Sequence, residues 1–230
     1  PDEYVTSVES VLSTTDSNRI QASSANNCFV YPYENSYRVG SETSTIVAAN
    51  AAAIEMSDAK FGEFPLYVFT DEGVFAMQSG GSNTLYSAIV PISYDKAINP
   101  NTLAVNYNVL FVTERGVMSL NSQGVSLLSE GLNKQDNTIH EWMRTTEMLH
   151  APQHNEVFAT DMENKLLYVF SLDSKVWSTR DVAEGHILNN GELVTNSKIV
   201  DLLHETTIDE PTEVTICTRP IKLGSMELKR

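Results

Sequence analysis

Short apolar runs separated by turn residues recur along this chain, most clearly between Phe64 and Met77. Leu66–Phe69 is a β-branched and aromatic run, Asp71-Glu72-Gly73 has the composition of a tight turn, and apolar residues resume at Val74. Two such runs on either side of a glycine-containing turn predict a β-hairpin.

The hairpin pattern is repeated twice. Leu110–Leu120 reads LFVTERGVMSL, so a Thr-acid-charged-Gly-Val core recurs 43 residues after Thr70, and a third variant runs from Leu166 to Ser178. Periods of about 40–50 residues are typical of propeller blades. We therefore predict an all-β fold, a β-propeller-like array of antiparallel blades that is either a whole propeller or part of one in a larger protein. Its predicted buried residues are Leu66, Val68, Phe75, Leu110, Val112, Val117, Tyr168 and Phe170.

Other segments add strands to this pattern. Residues 19–32 indicate a strand, an Asn-Asn turn and a short aromatic strand that ends at a proline. Residues 46–56 are ambiguous, because five alanines favour helix while the opening Ile-Val favours a strand over the front half. Further strands are predicted at 86–92, 102–105, 124–128, 198–204 and 214–218.

One insertion has a different pattern. Thr138 and Glu141 have the spacing of a helix-capping box, and Trp142 and Met143 follow on one helical face. We predict a short helix over 138–149. Its apolar stripe is interpreted first as core packing, and Trp142 and Met143 are kept as candidate interface residues.

Length and the terminal residues suggest the domain organisation. At 230 residues the chain can form one all-β domain with a sizeable core. We expect an N-terminal arm or irregular strand over 1–18, a propeller-like domain over 19–225 and the start of an exiting segment over 226–230. Because the sequence begins at Pro1, we expect it to be a processed or excised part of a longer polypeptide.

The charge is strongly acidic. The formal net charge is −15, and the basic residues are scattered, which argues against a nucleic-acid-binding surface because such surfaces need clustered Lys and Arg. The simplest interpretation is solubility, and the sharper one is an acidic groove past which a polyanion moves without binding. No apolar run is long enough to span a membrane.

The candidate metal and thiol residues are few. Cys28 and Cys217 are too sparse for a disulfide framework, so two buried free thiols are favoured, although closure of a propeller could bring them together. His150 and His154 are four apart, but the Glu of a zinc-protease pattern is absent. Acidic turns at Asp71 and Asp161 offer calcium ligands, although solvated turns are the better interpretation. No cofactor is predicted.

Enzymatic signatures are also weak. A glycosidase needs a pair of carboxylates, and 30 acidic residues supply such pairs by chance. The segment from Ser171 to Trp177 is similar to a sialidase Asp box but lacks its glycine and is one residue short. No nucleophile elbow is present, so no catalytic residue is assigned.

Five segments carry a resemblance to a known family. They are NRIQASSANNCFVYPYENSYRVGS (18–41), KFGEFPLYVFTDEGVFAM (60–77), NVLFVTERGVMSL (108–120), NKLLYVFSLDSKVWS (164–178) and TRPIKLGS (218–225). In this order they resemble virion proteins of crAss-like gut bacteriophages, usually described as tail-hub or packaged-DNA stabilisation proteins. Two positions depart from the family, which tends to have proline where Cys28 stands and Trp where Phe75 stands.

The resemblance implies a non-enzymatic structural role. It implies a tail or portal-proximal ring protein of the virion, made in the bacterial host cytoplasm, that mediates assembly and the retention or passage of DNA. Its expected partners are other tail or portal proteins and further copies of the chain in a homo-oligomeric ring, without sequence-specific nucleic-acid binding.

Two other functions stay open at this point. A glycan- or receptor-binding propeller would present several exposed aromatic side chains around one concave face, for which Tyr31, Tyr33, Tyr37 and Tyr86 are candidates. A glycoside hydrolase would show paired carboxylates in a deep pocket, at least one with a strongly raised pKa.

Overall fold

The computed structural model describes residues 16–24, 27–52, 65–79, 85–132, 139–182, 185–187, 192–195 and 199–202. Within these ranges the regular structure is almost entirely antiparallel β-strand, which confirms the predicted all-β class. The longest helical element there is a 3₁₀ helix of 4 residues. A search of the same ranges finds no helix with the length and apolar character that crossing a membrane requires.

The described strands form five sheets, numbered here in chain order. Sheet I pairs β1 (Arg19–Gln21) with β2 (Ser36–Arg38), and sheet II contains β3 (Ile46–Asn50), β4 (Leu66–Thr70), β5 (Val74–Ser79) and β6 (Tyr86–Ser93). Sheet III contains β7 (Leu103–Val105), β8 (Asn108–Thr113), β9 (Gly116–Asn121) and β10 (Gly124–Leu127). Sheet IV contains β11 (Met148–Ala151), β12 (Glu156–Asp161), β13 (Leu166–Ser171) and β14 (Trp177–Asp181), and sheet V contains β15 (Gly185–Ile187), β16 (Glu192–Thr195) and β17 (Ile199–Asp201).

Sheets II, III and IV are four-stranded meanders, because each strand pairs with the next one in sequence. The three predicted hairpins are confirmed as β4–β5, β8–β9 and the β12–β13–β14 ribbon. The front half of segment 46–56 is also confirmed as a strand, β3. The strand predicted at 86–92 is β6, which passes through Pro91; β6 lies at the edge of sheet II, where a missing N–H is tolerated.

A shared corner closes two of the hairpins. The Thr70 hydroxyl donates to the carbonyl oxygen of Gly73 at 2.9 Å and accepts the backbone N–H groups of Glu72 and Gly73, both at 3.1 Å. The Thr113 hydroxyl donates likewise to Gly116, at 3.3 Å. Both glycines have positive φ, 151° and 126°, a backbone conformation that is unfavourable for residues with a side chain. The repeated Thr-x-x-Gly of the sequence is therefore a hydrogen-bonded turn.

Successive residues of each strand point to opposite faces of its sheet, and both faces are covered. On β4, Tyr67 and Phe69 pack against sheet III, while Val68 packs against sheet I. The Phe69 and Phe111 rings meet between sheets II and III at 4.8 Å. On β8, Leu110 turns away from Phe111 and packs with Val157 and Phe170 of sheet IV. Consecutive sheets thus pack face to face.

Most of the predicted core residues are buried. Val68, Leu110, Val112, Val117 and Phe170 are at most 2% exposed. Leu66, Phe75 and Tyr168 are only half-buried. Leu66 and Phe75 lie on the face of sheet II that the two-stranded sheet I covers, and two strands cannot cover the area of four.

The predicted helix over 138–149 is wrong. Residues Glu141–Arg144 form a 3₁₀ helix, and Met148–Ala151 is strand β11. His140 precedes the 3₁₀ helix in an extended conformation without a side-chain cap, and Thr138 lies outside the described residues. The buried Asn99 amide donates to the carbonyl oxygens of Met143 and Thr146, at 3.4 and 2.9 Å. These carbonyl oxygens therefore accept hydrogen bonds from a side chain distant in sequence, and not from N–H groups of a continuing helix.

Several predictions lie outside the described residues. They are most of the arm over 1–18, the back half of segment 46–56, the strand at 214–218 and the exiting segment over 226–230.

Candidate interaction surfaces

The connection between β1 and β2 folds into a hydrogen-bonded loop. Backbone bonds join Ala22 N–H to Asn35 at 3.0 Å and Ser24 N–H to Val30 at 2.8 Å. The Gln21 side chain also donates to the carbonyl oxygen of Tyr31, at 3.1 Å. The predicted aromatic strand before Pro32 is absent from this described loop; instead Asn27 Oδ1 accepts the N–H of Phe29 in a local turn.

This loop presents apolar side chains to solvent. Phe29 is 89% exposed, Tyr33 80%, Tyr31 57% and Val30 48%. We call residues 29–33 the aromatic loop. Tyr31 and Tyr33 were candidate interface residues; Phe29 was missed, although its place in the run Phe29-Val30-Tyr31 was the available signal. Cys28, directly before the aromatic loop, is an exposed free thiol, so the expectation that it is buried is wrong. Cys217 lies outside the described residues.

The other two candidate tyrosines belong to a packing contact. Tyr37 of β2 and Tyr86 of β6 meet edge to face, with ring centroids 5.3 Å apart. Both are half-buried in the cluster that joins sheets I and II. Burial, and next the neighbouring Tyr37, raise the pKa of the Tyr86 hydroxyl. The four tyrosines therefore do not share one exposed surface.

Trp142 and Met143 lie in the core. They are 5% and 0% exposed, and Trp142 stacks on Tyr168 with centroids 4.2 Å apart and planes 9° apart. Burial, and next the Asp161 carboxylate, raise the pKa of the Tyr168 hydroxyl. Of the two interpretations of this stripe, packing between sheets III and IV is the one that the side chains adopt.

The acidic turns at the corners of the sheets bind protein donors. Asp71 accepts the Thr45 N–H at 2.8 Å, and Glu72 accepts the Ser41 N–H at 3.0 Å. Asp161 accepts the N–H of Asn164 at 3.1 Å. No group of three or more potential metal ligands occurs in the described ranges.

An ion cluster connects sheet III to the 3₁₀ helix. Arg144 makes two parallel hydrogen bonds to the Glu114 carboxylate, at 2.8 and 2.7 Å, and a third to Glu141 at 3.1 Å. The hydrogen bond from Arg144 lowers the pKa of Glu114. A carboxylate in such a pair stays ionised, which suits a structural clamp better than a general acid.

A cleft of about 560 Å³ opens between sheets II and III, at the end where β5 leaves the core. Its walls include Tyr67, Gln78, Tyr107 and Gln123, and none of its described lining residues is charged. Hydrolysis of a glycosidic bond by two carboxylates therefore has no acid and no nucleophile among these residues.

Neither a scan against protein-family models nor a search of curated proteins finds a match to this chain.

Proposed function

We propose that this chain is a non-enzymatic structural module of a bacteriophage virion. In this proposal it belongs to a tail or portal-proximal ring, mediates assembly with other tail or portal proteins and with further copies of itself, and helps to retain or pass DNA. The five sheets would be blades of a β-propeller-like array.

The observation that carries the proposal is where the family-like segments lie. The described parts of 60–77, 108–120 and 164–178 form the strands whose side chains fill the interfaces between sheets II, III and IV. Segments whose side chains fill these interfaces determine how the sheets pack, which suits a structural module.

Two features support the blade arrangement. Sheets II, III and IV are meanders of four antiparallel strands, which is the composition of a propeller blade. Strands β7 and β11, the first strands of two successive sheets, also lie close together. First strands that converge in this way would surround the axis of a propeller.

The aromatic loop supports an assembly role. Phe29 and Tyr33 are among the most exposed large apolar side chains of the described residues, while the loop backbone is held by hydrogen bonds. Aromatic residues on an ordered loop lose little conformational entropy on binding, and they are enriched at protein interfaces. The net charge of −15 would reduce adhesion of DNA that passes the module.

The first test is the composition of the particle. Quantitative mass spectrometry of gradient-purified virions of the phage that encodes the chain should find it in a fixed ratio to the portal protein. If the chain is absent from these particles and present only in the lysate, the structural proposal is wrong.

The second test finds what the aromatic loop contacts. A photo-crosslinker is attached to Cys28 in a Cys217→Ser variant, and virions assembled with this protein are irradiated and digested. Crosslinks should lead to a tail or portal protein or to a second copy of the chain. A matched label at Tyr94→Cys, in the same background with Cys28→Ser, controls for random contacts, because Tyr94 is 88% exposed and lies outside the aromatic loop. Equal crosslinking from both positions would contradict an assembly role for the loop.

A further inference from the structure

The cleft between sheets II and III is formed where apolar packing between these sheets ends. Along β5, Val74, Ala76 and Gln78 point to the same face, and this face passes from core to cleft at Ala76. The opposite wall is the turn Asn121–Gly124 between β9 and β10, and Tyr107 of the β7–β8 turn closes one side. Its volume, about 560 Å³, lies within the range of about 300–1,000 Å³ of small-molecule sites.

The turn that forms this wall is fixed in position. Asn121 Oδ1 accepts the N–H of Gln123 at 2.8 Å, and Asn121 Nδ2 donates to Asn108 Oδ1 at 3.2 Å. Gly124 has a φ of 131°, which suits glycine. Because the Asn121 side chain holds this turn in place, the turn does not need to become ordered when a ligand contacts Gln123.

Several polar side chains of the cleft form no hydrogen bond with another described residue. Within the described residues, the side-chain amides of Gln78 and Gln123 and the hydroxyls of Tyr67 and Tyr107 have no hydrogen-bond partner. Amides and hydroxyls both donate and accept. A ligand whose own groups both donate and accept can satisfy them, whereas a hydrocarbon ligand would leave them desolvated and unpaired.

The charge of the cleft restricts the ligand further. None of its described lining residues is Asp, Glu, Lys or Arg, although 20% of the chain is charged. A phosphate or carboxylate ligand would find no counterion among these described residues and would meet a chain with a net charge of −15. The ligand class that remains is neutral and rich in hydroxyl groups.

The apolar side chains select the same class. The Tyr107 ring is 60% exposed and Ile92 40%, so both offer an accessible apolar surface beside the amides. The C–H face of a pyranose ring can pack on the tyrosine while its hydroxyls reach Gln78 and Gln123. A proline-rich peptide is the competing ligand. Grooves that bind such peptides are lined by several exposed aromatic rings, whereas the second tyrosine of this cleft, Tyr67, is only 5% exposed.

We propose that the cleft between sheets II and III is a binding site for a neutral oligosaccharide, with Tyr107 as its stacking platform and Gln78 and Gln123 as its hydrogen-bonding groups. The inference is independent of the proposed virion role, and it uses none of the tyrosines of the aromatic loop.

The test is isothermal titration calorimetry of the full chain with five probes. Three are neutral (cellohexaose, maltohexaose and laminarihexaose), one is anionic (hexagalacturonate) and one is a peptide (decaproline). At least one neutral hexasaccharide should bind saturably. Tyr107→Ala and Gln123→Ala should each weaken that binding by about tenfold or more, the loss expected when one central contact is removed.

Tyr94→Ala is the matched control. Tyr94 is 88% exposed and is not among the cleft residues, so its removal should leave binding unchanged. Thermal unfolding of each variant separates lost binding from lost fold, and Gln123→Ala, in an exposed turn, serves if Tyr107→Ala does not fold. The proposal is overturned if no neutral probe binds, if hexagalacturonate or decaproline binds more tightly, or if Tyr107→Ala and Gln123→Ala both bind like the wild type.

Discussion

Replacing Asn99 by alanine should lower the free energy of unfolding by about 2–4 kcal/mol. Asn99 is 1% exposed, and its amide donates to the carbonyl oxygens of Met143 and Thr146 and accepts the N–H of Asn101. Each such bond contributes about 1 kcal/mol, and the buried carbonyl of Met143 would lose the bond that Asn99 provides. The loss should appear as a lower urea midpoint with an unchanged slope.

Asn101 provides the matched control. Its amide also donates to the carbonyl oxygen of Thr146, at 3.2 Å, but that oxygen keeps the bond from Asn99 when Asn101 is removed. Asn101 is exposed, so Asn101→Ala should cost only about 0.5–1 kcal/mol. Equal losses in the two variants, or a loss below about 0.5 kcal/mol for Asn99→Ala, would refute the reasoning.

The isosteric variant Asn99→Asp separates hydrogen bonding from volume. It keeps the acceptor for Asn101 but places a carboxylate oxygen against two carbonyl oxygens, so the pKa of the new carboxyl should be raised in the folded state. Because the folded state then binds the proton more tightly, the defect of this variant should shrink as the pH falls. A defect that is independent of pH would show that these carbonyls do not face position 99.

Three further predictions concern packing, a turn and a histidine. Phe111→Ala, at a site that is 0% exposed, should cost about 3–5 kcal/mol in urea unfolding, because it leaves a cavity between sheets II and III. Gly40→Ala should cost about 2 kcal/mol or more, since φ is +76° and the new Cβ would lie 2.6 Å from Ser44 Oγ, whereas Gly131→Ala, which meets nothing within 4 Å, should stay within about 0.5 kcal/mol. Burial lowers the pKa of His150 from its ordinary 6.5, so the folded state favours the neutral ring. The free energy of unfolding should therefore be highest above pH 6.5, and it should decrease as the pH falls through 6.5 towards the lowered pKa, because the unfolded state then binds the proton more readily. Thermal unfolding should be measured above and below pH 6.5 for the wild type and for His150→Leu. The unfolding temperature of the variant should fall less between the two pH values than that of the wild type.

The hairpins could be predicted because their causes are local. A run such as Leu66–Phe69 followed by a glycine turn specifies strand and turn within a few residues, and the recurrence of Thr-x-x-Gly at Thr70 and Thr113 made the repeat visible. The three half-buried core residues depend on how much of each sheet its neighbour covers, which is not encoded locally.

The segment after Thr138 shows why local pattern was insufficient there. Trp142 and Met143 suit a helix face and a buried 3₁₀ turn equally, and the choice between them depends on Asn99, 44 residues before Met143. The contact between Tyr37 and Tyr86 likewise joins distant residues. The residues that line the cleft, Tyr107 and Gln78 among them, come from separate strands and turns, so no single sequence motif predicts it.

The two-sided packing of the sheets has a consequence for how the molecule opens. Sheet III is held by neighbours on both faces, while in the described structure sheet I meets sheet II through the cluster around Ile20 and Tyr37. In such a series the stability of each sheet depends on its contacts with the neighbouring sheets. The backbone amides of β8 and β9 should therefore exchange with solvent only when the whole domain unfolds, whereas those of β1 and β2 should exchange when sheet I detaches locally. The aromatic loop belongs to this less strongly held sheet. A partner that binds the loop would therefore also suppress detachment of sheet I, and its affinity would include the free energy of that ordering.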